Sequence, residues 1–323
     1  MVTPQLEIGR WLMACQFQVL LNAGVPTDGA EVALEALDVA ERLEGLLSVY
    51  RIDSELSKIN RTAAGESVRV STETAELLTI SQEVREHTAG AFDLSAAALS
   101  ELWGFSRRQG RMPDQASIEA AVASIAAGGT QVDFDRREVT RLRDDVPINS
   151  GGIGKGYALD RMASLLSSSG VEHFAVHGGH SSILAKGDRM DIDSRDGWRV
   201  AVRHPDRPAV VLGELRLRDS ALATSGPANQ FFYYDGVRYS HIIDPRTGWP
   251  ASGLLSITVL HPSAAWADAL ATGLFILGPE AIETYVANNR ETSVLMVLPA
   301  DRRGEVEVRQ VNFPPNVWLP AEK

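Results

Sequence analysis

The stretch "NSGGIGKGYALDRM" (residues 149–162) places four glycines and one lysine at the entrance to a segment with helical periodicity. Glycines let the backbone approach a ligand closely, and a helix N-terminus offers free N–H groups to an anion. Two familiar phosphate loops can be tested against it. A Walker loop, G-x-x-x-x-G-K-[ST], would use Gly154-Lys155 as its "GK", but its first glycine then falls on Asn149 and its hydroxyl residue on Gly156. A dinucleotide fingerprint fails as well, because the preceding strand is weak and no acidic residue closes a strand about twenty positions on. Two readings stay open: an anion-binding turn of another kind, with Lys155 supplying charge, or a tight strand-to-helix turn with a surface lysine.

Outward from this turn the chain alternates helical and strand-like segments without a steady βαβ rhythm. Helical spacing runs over residues 30–48, 72–87, 118–127, 155–169, 263–277 and 279–288. Ser263 stands where a cap for the fifth of these belongs. Strand-like stretches fall at 17–24 (closed by Gly24 and Pro26), 67–71, 174–177, 182–186, 198–203, 214–217, 239–243, 255–260 and 293–297. "QVDF" and "EVTRLR" around Asp135 and Arg136 read as a hairpin, and the charges over residues 136–145 as its solvated face. The pattern predicts an α+β fold with mixed or antiparallel sheets.

The 323 residues allow one large or two modest domains. A net charge of −11 repels a duplex or an anionic membrane, so nucleic acid is not an expected partner. Cys15 is the only cysteine, which excludes an internal disulfide and a cysteine metal cluster. It ends "LMAC", which imitates a lipoprotein cleavage site, yet Glu7 and Arg10 interrupt the segment before it and no apolar leader precedes. No run of 18 apolar residues suggests a membrane-spanning helix. The expectation is a cytoplasmic protein, or one from which a leader has been removed.

Two further groups carry chemistry. In "WADALATGLF" (residues 266–275), Asp268 and Thr272 lie four apart and share a helix face among alanines and leucines. A carboxylate there is costly to bury unless it is paired or bound to a metal, and carboxylate, hydroxyl and backbone carbonyl oxygens suit Mg²⁺ or Ca²⁺. The alternative is an Asp on a polar face and a Thr bonded back to its own helix. In "YSHIIDPRTGWP" (residues 239–250), His241 is either a general base or a structural histidine beside a strand. His177 and His180 have H-x-x-H spacing, but no third ligand accompanies them.

Taken together, "MACQFQV" (13–19), "SVYRIDSELSKIN" (48–60), "GAFDLSAAALSELWGF" (90–105), the glycine turn, "ATSG…YSHIIDPRTGWP" and "ADALATGLFILG" resemble, in order, the motifs of the FAD:protein FMN transferases, the ApbE proteins. The resemblance implies one domain over residues 1–323, built as two intimately packed lobes in a T-fold-like arrangement with flanking helices. It also implies an FAD cleft between the lobes. It assigns Gly152 (through its carbonyl), Asp268 and Thr272 to Mg²⁺. It assigns Met13, Tyr50, Ala91, Phe92, Asp93, Asn149 and Lys155 to FAD, with Tyr50 stacked on the isoalloxazine ring, and His241 to the role of base. The implied reaction moves FMN from FAD to a Ser or Thr of an acceptor flavoprotein, a redox-complex subunit, and releases AMP. FAD hydrolysis and FAD binding without turnover are the competing readings. The sequence departs from the motifs at Asn149, where an aspartate is usual, at Ser182 in "HGGHSSI", again in place of Asp, and at Ala14-Cys15.

Overall fold

The computed structural model describes residues 6–22, 28–190, 197–227, 230–300 and 305–321. The expected strand end at Gly24 and Pro26 lies outside the described residues. The N-terminal part runs β1 (Leu6–Leu12), β2 (Cys15–Leu21), α1 (Gly29–Leu47), α2 (Glu55–Arg61), β3 (Ser67–Arg69) and α3 (Thr72–His87). It continues with α4 (Ala97–Leu102), α5 (Gln115–Ala126), β4 (Thr130–Asp133), β5 (Glu138–Arg141) and α6 (Gly154–Ser168). Then come β6 (Phe174–Gly178), β7 (Ser182–Lys186), β8 (Trp198–His204), β9 (Arg207–Leu217), β10 (Ser220–Ser225), β11 (Phe231–Tyr234) and β12 (Val237–Ser240). The chain ends with β13 (Ser256–His261), α7 (Ala264–Leu277), α8 (Pro279–Asn288), β14 (Ser293–Pro299), β15 (Val306–Val311) and β16 (Trp318–Pro320).

Eight strands form the central sheet in the order β1-β2-β6-β7-β10-β13-β14-β15, and every pairing in it is antiparallel. Of the mixed or antiparallel sheets expected, this one is antiparallel throughout. Side chains alternate across this sheet, as the pleat requires. Phe174, Val176, Ala221, Ala223, Ile257, Val259, Val294 and Met296 face α1, α6 and α7 in the main core. Ala175, Leu222, Leu260 and Leu295 face a three-stranded sheet, β16-β9-β8, across a second core with Trp198, Leu215 and Leu217. A third cluster, centred on the fully buried Trp103, gathers α4, α5 and the β11–β12 hairpin, whose Phe232 and Tyr239 pack against it.

The strand expected at residues 239–243 stops at Ser240, because residues 242 and 243 leave the hairpin and Ile243 forms an isolated bridge with Pro250. "LMAC" folds as a two-residue hairpin turn, with Met13 and Ala14 both at positive φ between β1 and β2. The charges over residues 136–145 are not all solvated: Arg141 is buried, and its guanidinium donates to the carbonyls of Ile59, Arg143 and Asp144.

Two features fix the crossing of α6 and α7. Asp160, on α6, accepts from the Ser263 hydroxyl and from the Ala264 and Ala265 N–H groups, at 2.7, 2.7 and 2.9 Å, and so caps α7. Gly156 allows the close approach: a Cβ added there would lie 2.0 Å from the Ala264 carbonyl oxygen. Gly156→Ala is expected to destabilise the fold by about 3 kcal/mol or more, because the atoms its Cβ would meet are backbone and cannot rotate away. Urea unfolding of the variant against the parent measures this.

Candidate active site

The glycine turn is held by local bonds before any ligand is considered. Asn149 Oδ1 accepts from the Gly151 N–H at 2.9 Å, an Asx turn, and the Ser150 hydroxyl donates to the Leu47 carbonyl at 3.0 Å. The Ser150 carbonyl accepts from Gly154 N–H at 2.7 Å, which starts α6. Lys155 falls in the first turn of α6, where a cation adds to the positive end of the helix dipole and favours an anion.

Helix α7 runs beside this turn. Asp268 is 6% exposed, so the alternative of an aspartate on a polar face does not hold. Its Oδ2 accepts from the Gly156 N–H at 3.1 Å, its Oδ1 accepts from the Ser182 hydroxyl at 3.1 Å, and Lys155 Nζ stands 3.6 Å from Oδ1. One turn on, Thr272 Oγ1 lies 3.4 Å from the Ser225 hydroxyl and does not bond back to its helix. The turn and the helix approach so closely that a Cβ on Gly152 would sit 3.6 Å from Thr272 Oγ1 and 3.1 Å from the Phe92 ring.

Gly152, Asp268 and Thr272 open on one cavity of about 300 Å³. Ala91, Phe92, Asp93, Asn149, Lys155 and His241 line it as well. Met13 and Tyr50 line a neighbouring cavity of about 610 Å³, which shares Asn149, Gly151, Lys155 and Ser181 with the first. The two meet around the glycine turn and together match the size range of small-molecule sites. Tyr50 is 80% exposed, so one ring face is free to receive a planar ligand. Asp93 lines the wall with its carboxylate already engaged: it accepts from Ser95 N–H at 2.8 Å and from Arg85 Nε at 2.5 Å.

The donor set suits a hard divalent cation. Asp268 contributes the one carboxylate, with lone pairs left over after its two accepted hydrogen bonds. Thr272 contributes a hydroxyl, and the turn contributes backbone carbonyls. Among the described residues no cluster of three or more His, Cys, Asp or Glu side chains could hold a metal by itself. His177 and His180 stack on each other, and His177 bonds Gln18 at 2.6 Å.

His241 lines the same cavity. Its Nδ1 is 3.1 Å from the Gln230 carbonyl, which can only accept, so Nδ1 carries the proton and Nε2 presents a lone pair. Burial pushes the imidazole below its ordinary pKa, against a smaller upward pull from that hydrogen bond.

Sequence reasoning did not single out Gly156, Asp160 and Ser225 as partners of the site. Each depends on a contact between segments roughly a hundred residues or dozens of residues apart, which no local spacing encodes. Ser182 did leave a signal, as a departure from the family motif; its hydroxyl now proves to hold Asp268.

The arrangement defines a class: an α+β protein with a glycine turn at a helix N-terminus, a buried aspartate with a threonine one turn on, and a buried histidine around one cleft. The comparisons are specific. Residues 13–296 match the ApbE family. A protein of Vibrio cholerae serotype O1 named FAD:protein FMN transferase is 35% identical over 283 residues, 85% of this chain and 81% of that one. A protein of Escherichia coli K12 with the same name is 33% identical over 250 residues, 75% and 69% of the two chains. The crystal structure of an ApbE protein from Thermotoga maritima superposes with a TM-score of 0.82 at 30% identity, covering 94% of this chain and 96% of that one. A flavin transferase ApbE from Vibrio cholerae gives 0.81 at 30% identity, covering 96% and 97%. The chain belongs to the ApbE family.

Proposed function

We propose that this protein transfers the FMN moiety of FAD to a Ser or Thr hydroxyl of an acceptor flavoprotein, releasing AMP, with Mg²⁺ in the cleft. The observation that carries the reading is the convergence of Gly152, Lys155, His241, Asp268 and Thr272 on one cavity. The names of the relatives support the reaction. That the acceptor is a redox-complex subunit rests on the family resemblance alone.

In this mechanism the flavin lies on the Met13 and Tyr50 side, and the pyrophosphate lies over the glycine turn. Lys155 and the N–H groups opening α6 bind its charge. Gly152, Asp268 and Thr272 hold Mg²⁺, which supplies neutralisation of phosphate charge when bound. Ser182 and the Gly156 N–H orient the Asp268 carboxylate, as partners behind a metal ligand do. His241 Nε2 accepts the proton of the acceptor hydroxyl, and the Gln230 carbonyl keeps the ring in the required tautomer. Phe92, buried against Gly152, keeps water from that wall.

Incubation with FAD, Mg²⁺ and a candidate acceptor tests the reading. Flavin fluorescence that stays with the denatured acceptor means transfer. Free FMN with AMP means hydrolysis, and unchanged FAD means binding alone; either would overturn the proposal. The pH dependence gives a further expectation. The base must be neutral, and burial lowers the His241 pKa, so neutral imidazole persists to lower pH than usual. The acidic limb of kcat/KM for transfer is therefore expected below pH 6.5, and a limb above that value would point to another group.

A further inference from the structure

His241 borders two cavities. One holds Gly152, Asp268 and Thr272; the other, of about 360 Å³, is lined by Phe105, Arg108, Gly110, Gln230 and Phe231. Among the described residues, His241 is the only one common to both linings. On the transfer reading, on which this inference rests, the pyrophosphate and the departing AMP occupy the first. Displacement at phosphorus is in line, so the nucleophile enters opposite the leaving group and within reach of the base. The second cavity is the approach that remains.

Its rim has a definite character. Arg107 and Arg108 are exposed, and neither side chain has an ion-pair or hydrogen-bond partner among the described residues. In a chain of net charge −11 this basic pair runs against the average field. The loop that carries it is built rather than loose. Gln109 N–H donates to the Gly104 carbonyl at 2.9 Å, Arg111 N–H to the Trp103 carbonyl at 3.0 Å, and Gln230 Nε2 to the Phe105 carbonyl at 2.6 Å. Gly110 lies flat on Phe232: a Cβ there would fall 2.4 Å from the ring.

The β11–β12 hairpin continues the rim. Its inner face is committed to the Trp103 cluster, but its outer face shows Phe231 and Tyr233, edge to face at 5.7 Å and 40% and 66% exposed. β11 and β12 pair only with each other among the described strands, so their outer edges are open to an added strand.

We propose that the second cavity admits the acceptor hydroxyl, and that Arg107, Arg108 and the Phe231–Tyr233 face bind an extended, acidic segment of the acceptor around the modified Ser or Thr. Acidic residues flanking that Ser or Thr meet the arginines, which sets orientation and selects partners by charge. In the step itself the hydroxyl proton passes to His241 Nε2 and an O–P bond forms to the FMN phosphate. The P–O bond to AMP breaks, and AMP leaves with the electron pair.

The test uses the full chain with FAD, Mg²⁺ and a degenerate library of short peptides with a central Thr. FMN-bearing peptides are sequenced by mass spectrometry. The parent is expected to enrich Asp and Glu over Lys and Arg beside the Thr by several-fold, and the Arg107→Glu/Arg108→Glu double variant to reverse that preference. The ratio is read within one reaction, so a lower overall rate does not disturb it. If the double variant fails to fold, either single substitution, at an exposed position, is expected to shift the ratio part of the way. The same preference in parent and variant would overturn the docking surface and leave transfer intact. AMP release with no labelled peptide from the parent would overturn the transfer reading, and this inference with it.

Discussion

Asp268→Ala is expected to abolish turnover, with AMP release falling by roughly a thousandfold or more, as loss of a central electrostatic group does. Asp268 supplies the one carboxylate of the proposed cation site, from a position 6% exposed. Its removal also leaves Lys155, 3.6 Å away, without its counter-charge, and the Gly156 N–H and Ser182 hydroxyl without their acceptor. Those losses act on stability as well, so the informative companion is Asp268→Asn. Asparagine keeps the shape and can still accept from one of these donors, but it carries no charge. It is expected to fold and melt near the parent while remaining inactive and losing Mn²⁺ affinity, read by electron paramagnetic resonance without any turnover. Near-normal AMP release from Asp268→Asn would remove the metal role from this residue.

The second large effect is expected at His241. His241→Gly is predicted to lower transfer by about 10²–10⁴-fold, the usual contribution of a positioned general base. FAD affinity, read by flavin fluorescence quenching, is expected to change little, because the proposed dinucleotide contacts lie on the glycine turn and around Tyr50. Added imidazole is expected to restore part of the rate, since the ring's place would be empty and open from two cavities. A large loss of FAD binding without rescue would make His241 a binding residue instead of a base.

Local pattern carried much of this fold, and the reasons are visible residue by residue. The helix expected at residues 72–87 is α3 to the residue, because Ser71 caps it and its buried Ala75, Leu78 and neighbours recur at helical spacing. Ser263 caps α7 through the Trp266 N–H, as its position before an alanine-rich run suggested. β1, α2, α4, β15 and β16 did not stand out. β1 has Gly9 and Arg10 in its middle, and β15 is an edge strand whose "VEVRQV" is half polar. α2 and α4 are only 7 and 6 residues long, too short for a period to register.

The site was legible in a different way. Asp268 and Thr272 could be placed on one face by spacing, but spacing could not decide whether that face was wet. The structure shows Asp268 buried because α6 lies against it through Gly156, a contact between segments more than a hundred residues apart. Order of motifs along the chain supplied the roles that spacing left open. Asp93 is the instructive exception. The resemblance placed it at the ligand, and it does line the cavity, yet its carboxylate already holds Arg85 and the backbone of Ser95.

The Asp160 latch has a consequence for how a bulky dinucleotide gets in and out. Prising α6 from α7 would sever three short hydrogen bonds and strand a carboxylate whose pKa burial has already raised. Those two helices therefore act as a fixed jaw. Breathing of the doorway falls to the exposed turn around Tyr50, and hydrogen exchange should be fastest there and slowest along α6 and α7.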